Sequence, residues 1–173
     1  MVVYMREVRV ASFSDLHEAL AKYRRDTYWA FRGHSDLSWL LIPKAGRPPY
    51  LSVDDLSALA DWKRRAVELT TIHMVDEWDW LALAQHHRLP TRLLDWSHNP
   101  LVAAFFAAEH AGESDCVVYA HRVRDVVDAD KLKPEECRGI KRVKARGVAA
   151  RITRQLGLFT IHCPPELAPI LFT

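Results

Sequence analysis

The sequence predicts an α+β domain, a small and mainly antiparallel sheet with several helices packed on it. Three observations point there. Helical stretches open on capping residues, at Ser14-Asp15, at Ser52 to Asp55 and at Ser97 to Pro100, and then place apolar residues at helical spacing. Between them lie short runs of aromatic and β-branched residues bounded by turn formers. The chain has 173 residues, which suits one domain, 1–173, with a core that needs no disulfide or metal.

Taken in order, residues 2–10 read as a first strand. A helix follows from the Ser14-Asp15 cap to about Tyr23, with Leu16, Ala19, Leu20 and Tyr23 on one side. Residues 27–33 read as a short strand ending at a turn, and residues 37–42 continue extended into an irregular 43–49. A helix is predicted over 54–69 and another over 78–86, ending near Leu89-Pro90. Thr91 to Asp95 reads as extended. Ser97-His98-Asn99-Pro100 offers a cap followed by proline at the first helical position, so a helix runs to about His110 and stops at Gly112. Residues 116–122 read as a strand and 126–142 as polar and turn-rich. Residues 149–152 and 157–162 are β-prone. The large aromatics, Trp29, Trp39, Trp78, Trp80 and Trp96, read mostly as core, with Trp96 the one placed to line a pocket.

Composition narrows the function classes. A net charge of +2 does not call for a polyanion partner. Three scattered cysteines fit a reducing cytoplasm better than a disulfide framework. The N-terminus meets charge at once and lacks a signal-peptide core, and the longest apolar run, 101–108, is too short to span a bilayer. The expectation is a cytoplasmic protein with no membrane partner.

Chemistry concentrates in the run Ala84-Gln-His-His-Arg-Leu-Pro-Thr-Arg-Leu-Leu-Asp-Trp-Ser-His-Asn-Pro100. Burying so many polar groups is unfavourable unless each finds a partner, so the run is a site or a heavily bonded corner. Arg32, between Phe31 and Gly33, can hold a phosphate or carboxylate with two parallel hydrogen bonds, and Gly33 lets a ligand or another chain segment come close. Its plainer reading is an internal pair with Asp95 or Glu109. Thr91, Arg92, Ser97 and Asn99 before a helix make an anion cradle, or simply a helix cap. Of the histidines His34, His86, His87 and His98, one has an orienting or acid–base role, or they are structural. No metal-ligand spacing is present, and no metal is expected. Gln155 can bind a ribose diol or brace a strand edge. The basic run from Lys131 to Arg154 reads as a solvated face or as a surface for nucleic acid or an acidic protein.

Phe31-Arg32-Gly33, then Gln85-His-x-x-Leu-Pro-Thr-Arg-Leu-Leu-Asp-Trp-Ser97, then Arg151-x-x-x-Gln155-x-Gly-x-Phe-Thr160, in that order, resembles the FRG domain of bacteria and their phages. Arg88 stands where that family more often has glycine, and Ser97 where it has threonine. Arg88 therefore implies negative φ there, or strain.

The motif order is also similar, more distantly, to ADP-ribosyltransferases. Arg32 matches their early-strand arginine, and Ser97 with Asn99-Pro-Leu-Val-Ala-Ala-Phe-Phe-Ala107 matches their strand-to-helix element. Gln155 stands where those enzymes carry a glutamate. The resemblance implies an ADP-ribosyltransferase-like fold and an NAD-directed enzyme, a bacterial or phage toxin or defence factor. NAD would be its nucleotide substrate, and a protein or nucleic acid its acceptor. Arg32, Gly33, Thr91, Arg92, Ser97 and Asn99 would hold the nucleotide. Phe105 or Trp96 would pack near the nicotinamide, and Gln155, Asp95 and His86 would serve the chemistry. The alternative is a non-catalytic FRG-type module recognising nucleic acid or a protein partner. The oligomeric state is left open.

Overall fold

The computed structural model describes residues 7–23, 28–68, 74, 76–110, 112, 114–122, 125–143 and 157–169. Among these residues the chain forms α1 (Phe13–Ala21), β1 (Ala30–His34), α2 (Asp55–Ala66), α3 (Glu77–His86), β2 (Leu93–Ser97), α4 (Pro100–Glu109), β3 (Val117–His121), β4 (Gly139–Val143) and β5 (Gly157–Cys163). The strands make one antiparallel sheet in the order β3-β1-β2-β5-β4. The α+β expectation holds.

Each helix starts where a side chain can take up a free backbone N–H. Ser12, Asp54, Asp76 and Asn99 cap the four helices in turn, and Pro100 follows Asn99 at the first helical position. The alternation of strand side chains then sorts the core by face. On one face α2 and α3 bury Leu59, Trp78, Leu81 and Ala84 against Leu93, Val143, Phe159 and Ile161. On the same face, Leu20 of α1 and Ala103 of α4 cover Phe31. On the opposite face Ala30, Leu94, Trp96 and Leu158 are covered by Leu41, with Tyr119 beside them.

Several expectations need correction. Residues 7–10 form no strand, and residues 2–6 lie outside the described residues. Residues 37–42 are bends and turns, with Leu37, Trp39 and Leu40 exposed while Leu41 and Ile42 turn inward to cover the sheet. Trp39 is thus not core. Trp96 is buried, its ring stacks on His121, and its indole N–H donates to Thr160 Oγ1 at 2.9 Å. The polar stretch before Arg142 holds β4, a strand the sequence did not suggest. The basic run is not all solvated either, since Arg142 is buried and reaches His98 at 3.2 Å. Residues 149–152 lie outside the described residues.

Arg88 has φ +66°, so the choice between negative φ and strain falls to strain. It ends α3 in a Schellman-type turn, with Leu89 N bonding Ala84 O and Arg88 N bonding Gln85 O, both at 3.0 Å. A left-handed conformation costs a residue with a Cβ about 1–2 kcal/mol. Arg88→Gly is expected to raise stability by up to about 1 kcal/mol, some of the relief being lost to the glycine's freer unfolded chain. In a thermal melt that is a rise of about 2–4 °C. An unchanged or lower midpoint would count against strain at this corner.

Candidate functional site

The site grows from an interruption in the sheet. β1 and β2 share the register pair Phe31↔Ser97, and no further pair follows toward His34 and Leu93. A continued ladder would set Gly33 opposite Asp95. Instead the Arg32 guanidinium fills the gap, with Nη1 donating to the Asp95 carbonyl oxygen at 2.7 Å. A side chain thereby satisfies a carbonyl that the ladder leaves open. The same guanidinium stands 4.0 Å from Asp95 Oδ2 and donates from Nε to His34 Nε2 at 2.9 Å. Its Nη2 edge makes no hydrogen bond among the described residues.

That bond fixes the His34 tautomer. Nε2 accepts, so in the neutral ring Nδ1 carries the proton. Nδ1 is buried without a hydrogen-bond partner of ordinary geometry, although the Trp39 backbone acts on it electrostatically. Burial, joined by the charges of Arg32 and Arg47, pushes the imidazole down to about 4. His34 is therefore neutral at physiological pH, held between Arg32 and the edge of Tyr119, with ring centroids 5.3 Å apart. Burial also lowers the Arg32 pKa, with Asp95 opposing and Arg47 adding to the effect. An arginine keeps its charge through such a shift, so the direction marks a desolvated cation.

Asp95 projects to the helix side, with its side chain more than half exposed. Gln85 of α3 donates to its Oδ2 at 2.9 Å and accepts from the Thr91 hydroxyl at 2.5 Å. Thr91 Oγ1 in turn accepts from Leu93 N at 3.2 Å. Arg32, Asp95, Gln85 and Thr91 thus form one connected network, a carboxylate held at the open edge of the gap between an amide and a guanidinium.

The other expected residues fall as follows. Gly33 serves the packing of α4: a Cβ there would run into the carbonyl oxygen of Ala103 and come within 2.6 Å of Ala107 N. Arg92 is not at the start of α4. It is buried and bidentate to Asp55, Nε to Oδ2 at 2.8 Å and Nη2 to Oδ1 at 2.6 Å. Its place in an anion cradle is withdrawn, because the guanidinium is already committed to a carboxylate. Thr91 is fully buried within the network. Ser97 Oγ accepts from Asn99 N at 3.0 Å, and Asn99 Oδ1 accepts from Leu101 N at 2.9 Å, so this pair builds the entry to α4. His86 is exposed at the end of α3, its ring edge-on to His87, while Gln85 is the α3 residue that reaches Asp95. Phe105 lies on the outer side of α4, 59% exposed. Glu109 ends α4, and Arg32 takes Asp95 as its partner instead. Gln155 lies outside the described residues. Among the described residues no group of three or more His, Cys, Asp or Glu could hold a metal ion, and no helix is long and apolar enough to cross a membrane.

Gln85 is the member of the Asp95 network that the sequence reading passed over. Its signal was available. Leu81 and Ala84 mark the buried side of α3, and Gln85 follows Leu81 by four residues, so it shares that side. His86 is turned about 100° further round the helix.

A family model described as the FRG domain matches residues 27–116, just over half of the chain and all of β1, α2, α3, β2 and α4. No curated protein and no solved structure matches the chain.

Proposed function

The chain belongs to the FRG-domain family, and from that premise we propose that it is an ADP-ribosyltransferase-like enzyme directed at NAD. One observation carries the reading: the β1–β2 ladder opens beside Ser97, and a desolvated arginine stands in the gap next to a carboxylate. Arg32 offers its unengaged edge to the pyrophosphate, and the entry to α4 at Ser97 and Asn99 adds backbone dipoles of the right sign. Gln155 binds the hydroxyls of the nicotinamide ribose. The bond from the ribose C1′ to the nicotinamide nitrogen breaks, and nicotinamide leaves with the bonding electrons. A nucleophile on the acceptor bonds to C1′ and gives up its proton. Asp95, held by Gln85 and Arg32, orients that nucleophile and receives the proton. Positioning and charge stabilisation supply the rate, without a covalent enzyme intermediate.

The exposed apolar residues of α4, Leu101, Phe105 and Phe106, favour a second reading, a non-catalytic module that docks a protein partner. Calorimetry with NAD separates the two. Wild type is expected to bind, Arg32→Ala is expected to weaken binding about tenfold or more, the equivalent of a charge-assisted hydrogen bond, and Gln155→Ala to weaken it by up to about tenfold, the equivalent of a neutral one. No heat of binding with folded wild-type protein would overturn the enzyme reading and leave the docking module.

A further inference from the structure

Arg47 ends the segment that covers the sheet opposite the helices. Leu41, Ile42 and Pro43 are buried there, and a single 3-10 turn follows at Lys44–Gly46. The turn is tied to the core by Ala45 N bonding Thr91 O at 3.2 Å. Arg47 then folds back so that Nε and Nη2 both donate to the Ile42 carbonyl oxygen, Nε at 2.8 Å. This pins the guanidinium to a segment that lies against β1 beside Arg32 and His34, since its Trp39 ring is 6.0 Å from the His34 ring and its Leu41 packs with Ala30. The Arg47 charge helps to lower the pKa of both Arg32 and His34. Its Nη1 has no hydrogen bond and the side chain has no ion pair among the described residues. Two partly desolvated guanidiniums therefore share one region with a buried neutral imidazole. The nearby acid, Asp95, is 4.0 Å from Arg32 and already bonded to Gln85. Like charges at short range in a poorly solvated site are unfavourable, and an anion between them reverses the sign of that interaction. Two cations call for at least two negative charges, and the planar fork of each guanidinium matches phosphate oxygens.

We infer that Arg32 and Arg47 form a two-guanidinium clamp for the diphosphate of a nucleotide, with His34 lying behind them. The inference deepens the nucleotide reading and rests on it for the identity of the ligand, but the clamp can be tested with inorganic pyrophosphate alone. Calorimetry would compare wild type, Arg47→Gln, Arg47→Lys and the remote control Arg64→Gln. Wild type and the control are expected to bind pyrophosphate equally. Arg47→Gln is expected to bind about tenfold more weakly or worse, and Arg47→Lys to fall between, since it keeps the charge but loses the fork. Arg47→Lys also keeps the test open should the glutamine variant fail to fold.

A second readout is one that a merely structural arginine would not produce. The His34 ring, followed by NMR, is expected to titrate at higher pH when pyrophosphate is bound, because the dianion favours imidazolium against Arg32 and Arg47. Undiminished pyrophosphate binding by Arg47→Gln, or a His34 titration that saturating pyrophosphate leaves in place, would overturn the clamp. ADP and NAD distinguish the ligand sources. Binding of pyrophosphate and ADP without NAD supports the clamp and rejects NAD as substrate. NAD binding that ignores Arg47 rejects the clamp and leaves the NAD reading standing.

Discussion

Gly33→Ala is expected to cost more than about 4 kcal/mol, placing it among the rare substitutions that remove much of a domain's stability. The added methyl would enter the Ala103 carbonyl and press on Ala107 N at 2.6 Å. Both atoms are helix backbone, so no side chain can swing aside to make room. α4 would have to lift away from β1, and with it the contacts of Ala103 with Phe31 and Leu20. The gap beside Arg32 shares these elements, so the proposed pyrophosphate binding would fall along with stability. Gly112→Ala is the control, because a Cβ there meets nothing within 4 Å. Urea unfolding of the two variants beside wild type checks the expectation. A Gly33→Ala midpoint close to that of Gly112→Ala would mean that α4 does not approach β1 as described.

The same glycine shows where sequence stops informing. Gly33 reads equally well as room for a ligand or for another chain segment, and the choice depends on where α4 lies, 70 residues further on. Features that depend on neighbours in the chain were readable. Asp54 and Asn99 mark helix starts by local hydrogen bonding and Pro100 by its fixed φ and missing N–H, and the starts of α2 and α4 fall where they indicate. The strand at Val117–His121 was visible through its β-branched and aromatic residues. β4 was not. Its sequence, Gly-Ile-Lys-Arg-Val, belongs to an edge strand, where charge on the chain is ordinary. Lys141 pairs outward with Asp125 at 2.7 Å while Arg142 turns inward, so both look alike in the sequence and differ in the fold. The extended reading of 37–42 failed because its apolar residues cover the sheet instead of joining it. In the candidate site, Arg32 and Asp95 could be picked out by residue type and motif. The choice of Asp95 over Glu109 as the partner of Arg32, and the places of Gln85 and Arg47, required the register of β1 on β2 and the fold-back of the covering segment.

Breaking the Arg92–Asp55 pair is expected to destabilise the domain by about 3–5 kcal/mol, because either single substitution leaves an uncompensated buried charge. Both side chains are at most one-tenth exposed. The bond is bidentate, and Arg92 Nη1 also points at Cys163 Sγ at 3.7 Å. Burial works against the Arg92 charge, but the Asp55 hydrogen bonds and charge prevail and hold its pKa above the ordinary value. The pair joins the first turn of α2 to the corner before β2, and that corner also receives Ala45 N at Thr91 O and His162 N at Arg92 O. Asp55→Ala and Arg92→Leu are each expected to lower the melting midpoint by about 10 °C or more. The double replacement Asp55→Leu with Arg92→Met is expected to recover a large part of the loss, since two apolar groups of suitable size leave no charge stranded. The recovery separates an ion pair retained for the geometry it imposes from one that simply adds stability. If the double variant is as unstable as the sum of the singles, Arg92 has a further partner that the pair does not account for. If the single variants melt with wild type, the pair is not buried, and Arg92 returns as a candidate for the anion site from which its commitment to Asp55 removes it.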